Sequence, residues 1–167
     1  IEKIGAFSMN SCWMLEKVEF SEHSKLRVIE KFAFSESSIS KIIIPDKVKL
    51  IGECAFCNCQ NLKEIELTEN SELEKIEENA FSHSSICKMN LPNTFCSFCV
   101  GWCCSTPLLN EIFLFKNNQN LMYLDDSQKV IIGKSDVQSE VFDVLYFACR
   151  DVEKVTIPSF IRKIGSY

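Results

Sequence analysis

The 167-residue sequence predicts a solenoid built mainly from β-strands, in which short coils stack along one axis. Three observations lead there. One phrase recurs between the first residues (IEKIGAF) and the last (IRKIGSY), its copies keep a fixed offset, and each copy closes on an alternation of apolar and polar side chains. Self-similarity at a short period implies units that bury their apolar positions only against their neighbours, so stacking builds one continuous core.

The isoleucine of "IG" anchors each unit, at Ile4, Ile29, Ile51, Ile76, Phe98, Val141 and Ile164, with intervals of 25, 22, 25, 22, 43 and 23 residues. The offset is 47 from Ile4 to Ile51, from Ile29 to Ile76 and from Ile51 to Phe98, so the higher unit is an alternating long and short pair. Four and five residues after the anchor comes a small-aromatic pair, clearest as Ala33-Phe34, Ala55-Phe56 and Ala80-Phe81. Its ring is expected to plug the space between coils on the wall opposite the strands. Met9 and Tyr146 fall in the same slot, and Cys103 fills it poorly in the degenerate copy FCVGWCCSTPLL. Eight residues after the anchor stand Cys12, Ser37, Cys59, Ser84, Thr106 and Cys149, a pattern that fits a small buried residue.

Each unit ends in a Leu-x-x-Ile-x-Leu phrase: LEKVEF (15–20), ISKIII (39–44), LKEIEL (62–67), ICKMNL (86–91), LNEIFL (109–114) and VEKVTI (152–157). The last three residues alternate with the period of a strand, which predicts one short strand per coil and parallel pairing between coils. Pro45, Pro92 and Pro158 follow the phrase, where proline can end a strand without removing an interior donor. A period of 20 to 29 residues with this core is the signature of leucine-rich repeats. The chain therefore reads as a single array over 1–167, with regular repeats over 1–115, an irregular insert over 116–140 and resumed repeats over 141–167. Two apolar stretches around Asp125-Asp126-Ser127-Gln128 read as a hairpin inserted into or replacing part of a coil, with a disordered segment as the alternative. The near-repeat of the two ends reads as a slice of a longer array.

The stretches IGECAFCNCQNLKEIEL and IPSFIRKIGSY resemble the BspA-like leucine-rich repeats, whose pattern runs I-G-x-x-A-F-x-x-C-x-x-L-x-x-I-x-I-P. The spacer ENSELEKIEENAF is similar to that of protist surface-antigen members of the group. The resemblance covers nearly the whole chain outside the insert. It implies a curved right-handed solenoid, a place at the cell surface or outside the cell, roles in attachment or protein binding with a host or extracellular partner, and no shared catalytic residues.

Composition excludes several classes. A net charge of −5, a sequence pI near 5.2 and no Lys/Arg run longer than two argue against a nucleic-acid partner. The longest apolar runs, such as Ile112–Phe115, fall far short of the roughly 20 residues a membrane span requires, so no membrane contact is expected of this segment. This stretch carries no secretory signal, no N-x-[ST] sequon and no glycine-rich phosphate loop, and no cofactor is expected. The ten cysteines raise the question of zinc, because Cys54-x-x-Cys57 and Cys96-x-x-Cys99 have ligand-like spacing. The two pairs occupy different positions of the repeat, which disfavours a metal site even at the densest cluster, Cys96, Cys99, Cys103 and Cys104. His23 and His83 stand at a spacer and a variable position, and nothing in the repeat holds either against a thiol as nucleophilic catalysis requires; the chain does not read as an enzyme.

The positive functional signal is the outward face of the strand phrases. One ladder is Lys17, Lys41, Glu64, Lys88, Glu111 and Lys154, charged in all six copies, and the second is Glu19, Ile43, Glu66, Asn90, Phe113 and Thr156. Strands about 4.8 Å apart would align these into two rows. A solvated face with cross-strand charge pairs is one reading. Exposed Ile43 and Phe113 would instead mark a contact surface, unless a register shift puts them in the core. The face is thus a candidate protein-binding surface, with a passive spacer that presents a neighbouring domain as the alternative.

Overall fold

The computed structural model describes residues 1–165; Ser166 and Tyr167, which close the phrase IRKIGSY, lie outside the described residues. The anchors and the closing phrases become two different sheets. Anchors form β1 (Lys3–Ile4), β2 (Val28–Ile29), β4 (Leu50–Ile51), β6 (Lys75–Ile76) and β8 (Ser97–Phe98), while phrases form β3 (Lys41–Ile43), β5 (Glu64–Glu66), β7 (Lys88–Leu91) and β9 (Glu111–Leu114). The anchor sheet runs in the order β1-β2-β4-β6-β8 and the phrase sheet in the order β3-β5-β7-β9, with every pairing parallel. The fold is a leucine-rich-repeat solenoid.

Its interior follows the repeat. Ile29, Ile51 and Ile76 are fully buried on the anchor sheet, and Ile42, Ile65, Met89 and Ile112 face them from the phrase sheet. Phe34 stacks on Phe56 at 5.2 Å and Phe56 on Phe81 at 5.3 Å, with rings within 12° of parallel. The fifth coil reverses the pair. Trp102 stands in the small slot and Cys103 in the aromatic one, since the Trp102 carbonyl accepts from the Phe81 amide just as the Ala80 carbonyl accepts from Phe56. Both are fully buried, and the indole continues the stack by turning edge-on to Phe81 at 6.3 Å and lying over Phe98 at 4.3 Å. The aromatic volume is kept in this coil, displaced by one residue.

Between the two sheets each coil runs as a ribbon of tight turns. Cys57 N donates to Cys54 O and Cys59 N to Phe56 O, while the intervening amides of Cys54, Phe56 and Asn58 donate to Glu78, Ala80 and Ser82 of the next coil. Alternate amides are thus satisfied inside the coil and between coils, which meets the requirement that buried backbone groups be paired. The ribbon demands left-handed backbone three and seven residues after each anchor: Phe7 and Ser11, Phe32 and Glu36, Cys54 and Asn58, Asn79 and His83, Gly101 and Ser105 all have φ between 52° and 67°. Side chains at the eighth position close the ribbon, as Ser84 Oγ donates to Phe81 O at 2.6 Å and Thr106 Oγ1 to Cys103 O at 2.6 Å.

The C-terminal third is built differently. Strands β10 (Leu121–Tyr123) and β11 (Val130–Gly133) form an antiparallel hairpin around Asp125–Gln128, β12 (Val144–Ala148) pairs antiparallel with β11, and β13 (Lys163–Ile164) pairs parallel with β12. Leu145, not Val141, is the register partner of Ile164. The Asp143 carbonyl accepts from the amides of Arg162 and Lys163 as the Glu2 carbonyl accepts from Arg27 and Val28, so Leu145 takes the anchor position. It lies 47 residues after Phe98, which restores the offset that Val141 breaks. Tyr146 and Cys149 therefore leave the aromatic and eighth slots; Tyr146 lies over Gly133, where an added Cβ would come within 2.5 Å of its ring.

Candidate binding face

The phrase sheet turns one side chain in and the next out. Lys41, Glu64, Lys88 and Glu111 pair in register across β3, β5, β7 and β9. Ile42, Ile65 and Met89 between the rows are buried, so the register-shifted alternative is ruled out and Ile43 and Phe113 point outward, 54% and 45% exposed. Asn90 pairs with Phe113 and Ile43 with Glu66 in the second row.

The first row neutralises itself. Glu64 sits between two lysines, 2.6 Å from Lys88 and 3.3 Å from Lys41, and Lys41 also donates to Glu66. The Lys88 hydrogen bond holds the Glu64 carboxyl below the usual glutamate range, and Glu64 in turn raises Lys88. Such exposed pairs are each worth little on their own, but they fix the lysines in place along the sheet. The second row is interrupted by hydrophobes. Phe113 packs edge-on against Phe115 at 5.4 Å, which extends the apolar patch past the end of the strand.

Two depressions adjoin the face. At the first, a groove of about 1420 Å³ lies between residues 16–25 and β3, lined by Val18, Phe20, His23, Ile43, Pro45 and Lys47 among others. It exists because the phrase LEKVEF makes a single bridge, Lys17 to Lys41, rather than a strand. Lys17 and Glu19 there pair with each other at 2.6 Å in solvent. The second depression, about 360 Å³, is lined by Phe113, Glu111, Tyr123 and Lys129.

The sixth copy does not join. VEKVTI forms no strand, and Lys154 and Thr156 lie exposed in irregular chain, apart from the ladders. The place beside β9 is taken by the hairpin: Lys129 Nζ donates to Asn110 O at 3.0 Å and pairs with Asp151, while the Tyr123 hydroxyl donates to Ile112 O and accepts from Leu114 N, each at 2.9 Å. One phenol thus meets the donor and acceptor that a further parallel strand would have met. It covers an edge that would otherwise invite another chain. Sequence reasoning missed Tyr123, whose only signal is an aromatic inside the insert.

Among the described residues no three His, Cys, Asp or Glu side chains converge as metal ligands, and no helix is long and apolar enough to cross a membrane. Burial pushes the Cys103 thiol up to about 12, against the opposing Arg150 guanidinium.

The pattern of the BspA type leucine rich repeat region matches residues 1–100 in six copies. The chain belongs to the BspA-type leucine-rich repeat family. No curated protein matches the chain in sequence. Among solved structures, the pneumococcal vaccine antigen PcpA superposes with a TM-score of 0.76 at 26% identity over 89% of this chain and 35% of that one. A leucine rich cell surface protein from Faecalibacterium prausnitzii superposes with a TM-score of 0.61 at 18% identity over 89% of this chain and 43% of that one, a likeness of fold. The chain spans well under half of each neighbour.

Proposed function

We propose that the phrase sheet is a protein-recognition surface and that the chain is a non-enzymatic binding or adhesion module of a protein displayed outside the cell. The observation that carries this is the placement of the outward hydrophobes: Ile43 and Phe113, exposed on a polar sheet, each line a depression large enough to take a side chain. The charged row between them supplies fixed positive and negative positions that favour a partner of complementary pattern. The likeness to PcpA, a pneumococcal vaccine antigen, supports the location. The alternative, a spacer that presents a neighbouring domain, draws on the same charge row, because Lys41, Glu64 and Lys88 already satisfy one another.

The two readings separate in an adhesion assay. Beads coated with the chain are scored for attachment to cultured animal cells, with wild type against the Ile43→Thr/Phe113→Thr double variant and a Lys154→Ala control away from the sheet. Loss of about 1–3 kcal/mol per anchor would cut attachment at least tenfold, with unchanged circular dichroism. Equal attachment by all three proteins would sink the recognition face and leave the spacer.

A further inference from the structure

We propose that Cys54 and Cys57 form a reversible intramolecular disulfide, a modification site on the turn ribbon of the third coil that takes low-molecular-weight disulfides as its oxidant. Cys57 N donates to Cys54 O at 3.1 Å, which makes the four residues a tight turn. The first and fourth Cα atoms of such a turn lie within about 7 Å, and a disulfide spans about 4.4–6.8 Å between Cα atoms and 3.5–4.5 Å between Cβ atoms.

Neighbouring coils show that side chains at these two positions meet. In the fourth coil they are Asn79 and Ser82, and Ser82 Oγ donates to Asn79 Oδ1 at 3.1 Å. In the fifth they are Gly101 and Cys104, and a Cβ placed on Gly101 would stand 3.9 Å from the Cys104 Cβ. The backbone is the same in all three, with φ of 52° at Cys54, 54° at Asn79 and 67° at Gly101. The third coil alone places a thiol at both positions. Each is half-buried, so a small oxidant can reach it. Burial and the adjacent Cys57 raise the Cys54 thiol to about 11; burial raises the Cys57 thiol as well, partly offset by the hydrogen bond from Cys54.

The order of reaction follows. The Cys57 thiolate attacks one sulfur of oxidised glutathione, breaks its S–S bond and expels one glutathione thiolate, which takes up a proton. Cys54 then loses its proton and attacks the Cys57 sulfur, breaking the mixed disulfide and expelling the second glutathione. Two protein thiols are oxidised and one disulfide is reduced to two thiols. The other pair of equal spacing provides a contrast. Cys96 and Cys99 flank β8, with their amides donating to Glu74 O and Ile76 O in the anchor ladder, so extended chain holds them about 10 Å apart.

The test incubates the full chain with oxidised glutathione under native conditions, blocks free thiols, and maps unreduced tryptic peptides by mass spectrometry. The peptide 50–63 is expected to lose two hydrogen masses and to keep one alkylatable thiol, Cys59, after denaturation; Cys59→Ser retains the ring. Cys54→Ser converts it to a lasting glutathione adduct on Cys57, with circular dichroism unchanged throughout. Stable adducts or free thiols on both cysteines of the wild type, a ring that includes Cys59, or a Cys96–Cys99 ring that forms as readily would each overturn the proposal.

Discussion

The regular coils over residues 1–115 and the segment that follows use the same offset to opposite ends. From Ile4 to Ile51 to Phe98 the step of 47 residues adds parallel strands to two growing sheets. The next step, to Leu145, keeps the anchor but reaches it through the β10–β11 hairpin, and the phrase sheet ends at β9. What changes is the source of the hydrogen bonds. In the regular coils the next strand supplies them, whereas beyond β9 they come from side chains, the Tyr123 hydroxyl and the Lys129 ammonium. A solenoid sheet can therefore be stopped without exposing its edge if a side chain reaches the free backbone groups.

The comparison breaks most severely at the ring stack. Phe56 lies between Phe34 and Phe81, and removal of its ring leaves a hole that two flat neighbours cannot fill by small shifts. Phe56→Ala is expected to cost about 3–5 kcal/mol. Trp102→Ala removes more volume, but the ring packs between Phe98 at the last anchor strand and Phe147 of the irregular segment, where packing has more freedom to collapse. Its cost should lie at the lower end of the same range despite the larger side chain. Urea denaturation of both variants measures the difference; a clearly larger loss for Trp102→Ala would show that the fifth coil is packed as rigidly as the third.

The edge comes next. Tyr123→Phe keeps the ring and deletes one oxygen, which leaves Leu114 N and Ile112 O without that partner. A cost of about 1–3 kcal/mol is expected, because an unsatisfied backbone group bears its desolvation penalty in full. Hydrogen exchange should localise the effect, with faster exchange of the Leu114 amide and little change in β3 or β5. If the Leu114 amide exchanged no faster in the variant, the phenol would have no role in closing the edge.

The same division explains what could be read from residues alone. The anchors, the phrases and the rows Lys41-Glu64-Lys88-Glu111 and Ile43-Phe113 were legible because a period repeated without insertion sets the register of every copy. Beyond Leu114 the insert removes the reference, and local grammar then misleads: Tyr146 and Cys149 suit an anchor at Val141, yet backbone pairing selects Leu145. Lys154 and Thr156 were lost from the face for the same reason, since a phrase makes a strand only where a neighbour is free to pair. The left-handed positions were hidden otherwise. Asn58, Asn79 and Gly101 suit positive φ, but Phe32, Glu36 and His83 adopt it too, held by the stacked turns rather than by their own preference. Phe7 and Phe32, stacked at 4.9 Å, recover in ring contact part of what the backbone costs.

The smallest effect concerns the charged row, and it sharpens the contrast by its dependence on pH. The Lys88 and Lys41 hydrogen bonds depress the Glu64 carboxyl, so the folded chain binds this proton less readily than the unfolded chain does. The stabilisation is complete above the ordinary glutamate range and is lost as pH falls through the lower folded value. Glu64→Gln should therefore lower the melting temperature by about 1–3 °C at neutral pH and low salt, with the gap to wild type closing as pH drops below about 4. Salt should shrink the gap at neutral pH as well, because these groups are solvent-facing and screened. Asp143 in the irregular segment is depressed by a different cause, hydrogen bonds from the Ser135 amide and hydroxyl at 2.9 Å. Asp143→Asn should then show an acid dependence of the same sign and far less response to salt. Equal salt dependence for the two variants would show that the two carboxylates are held by the same kind of force, and the distinction between a face built of paired charges and a wall built of local hydrogen bonds would not stand.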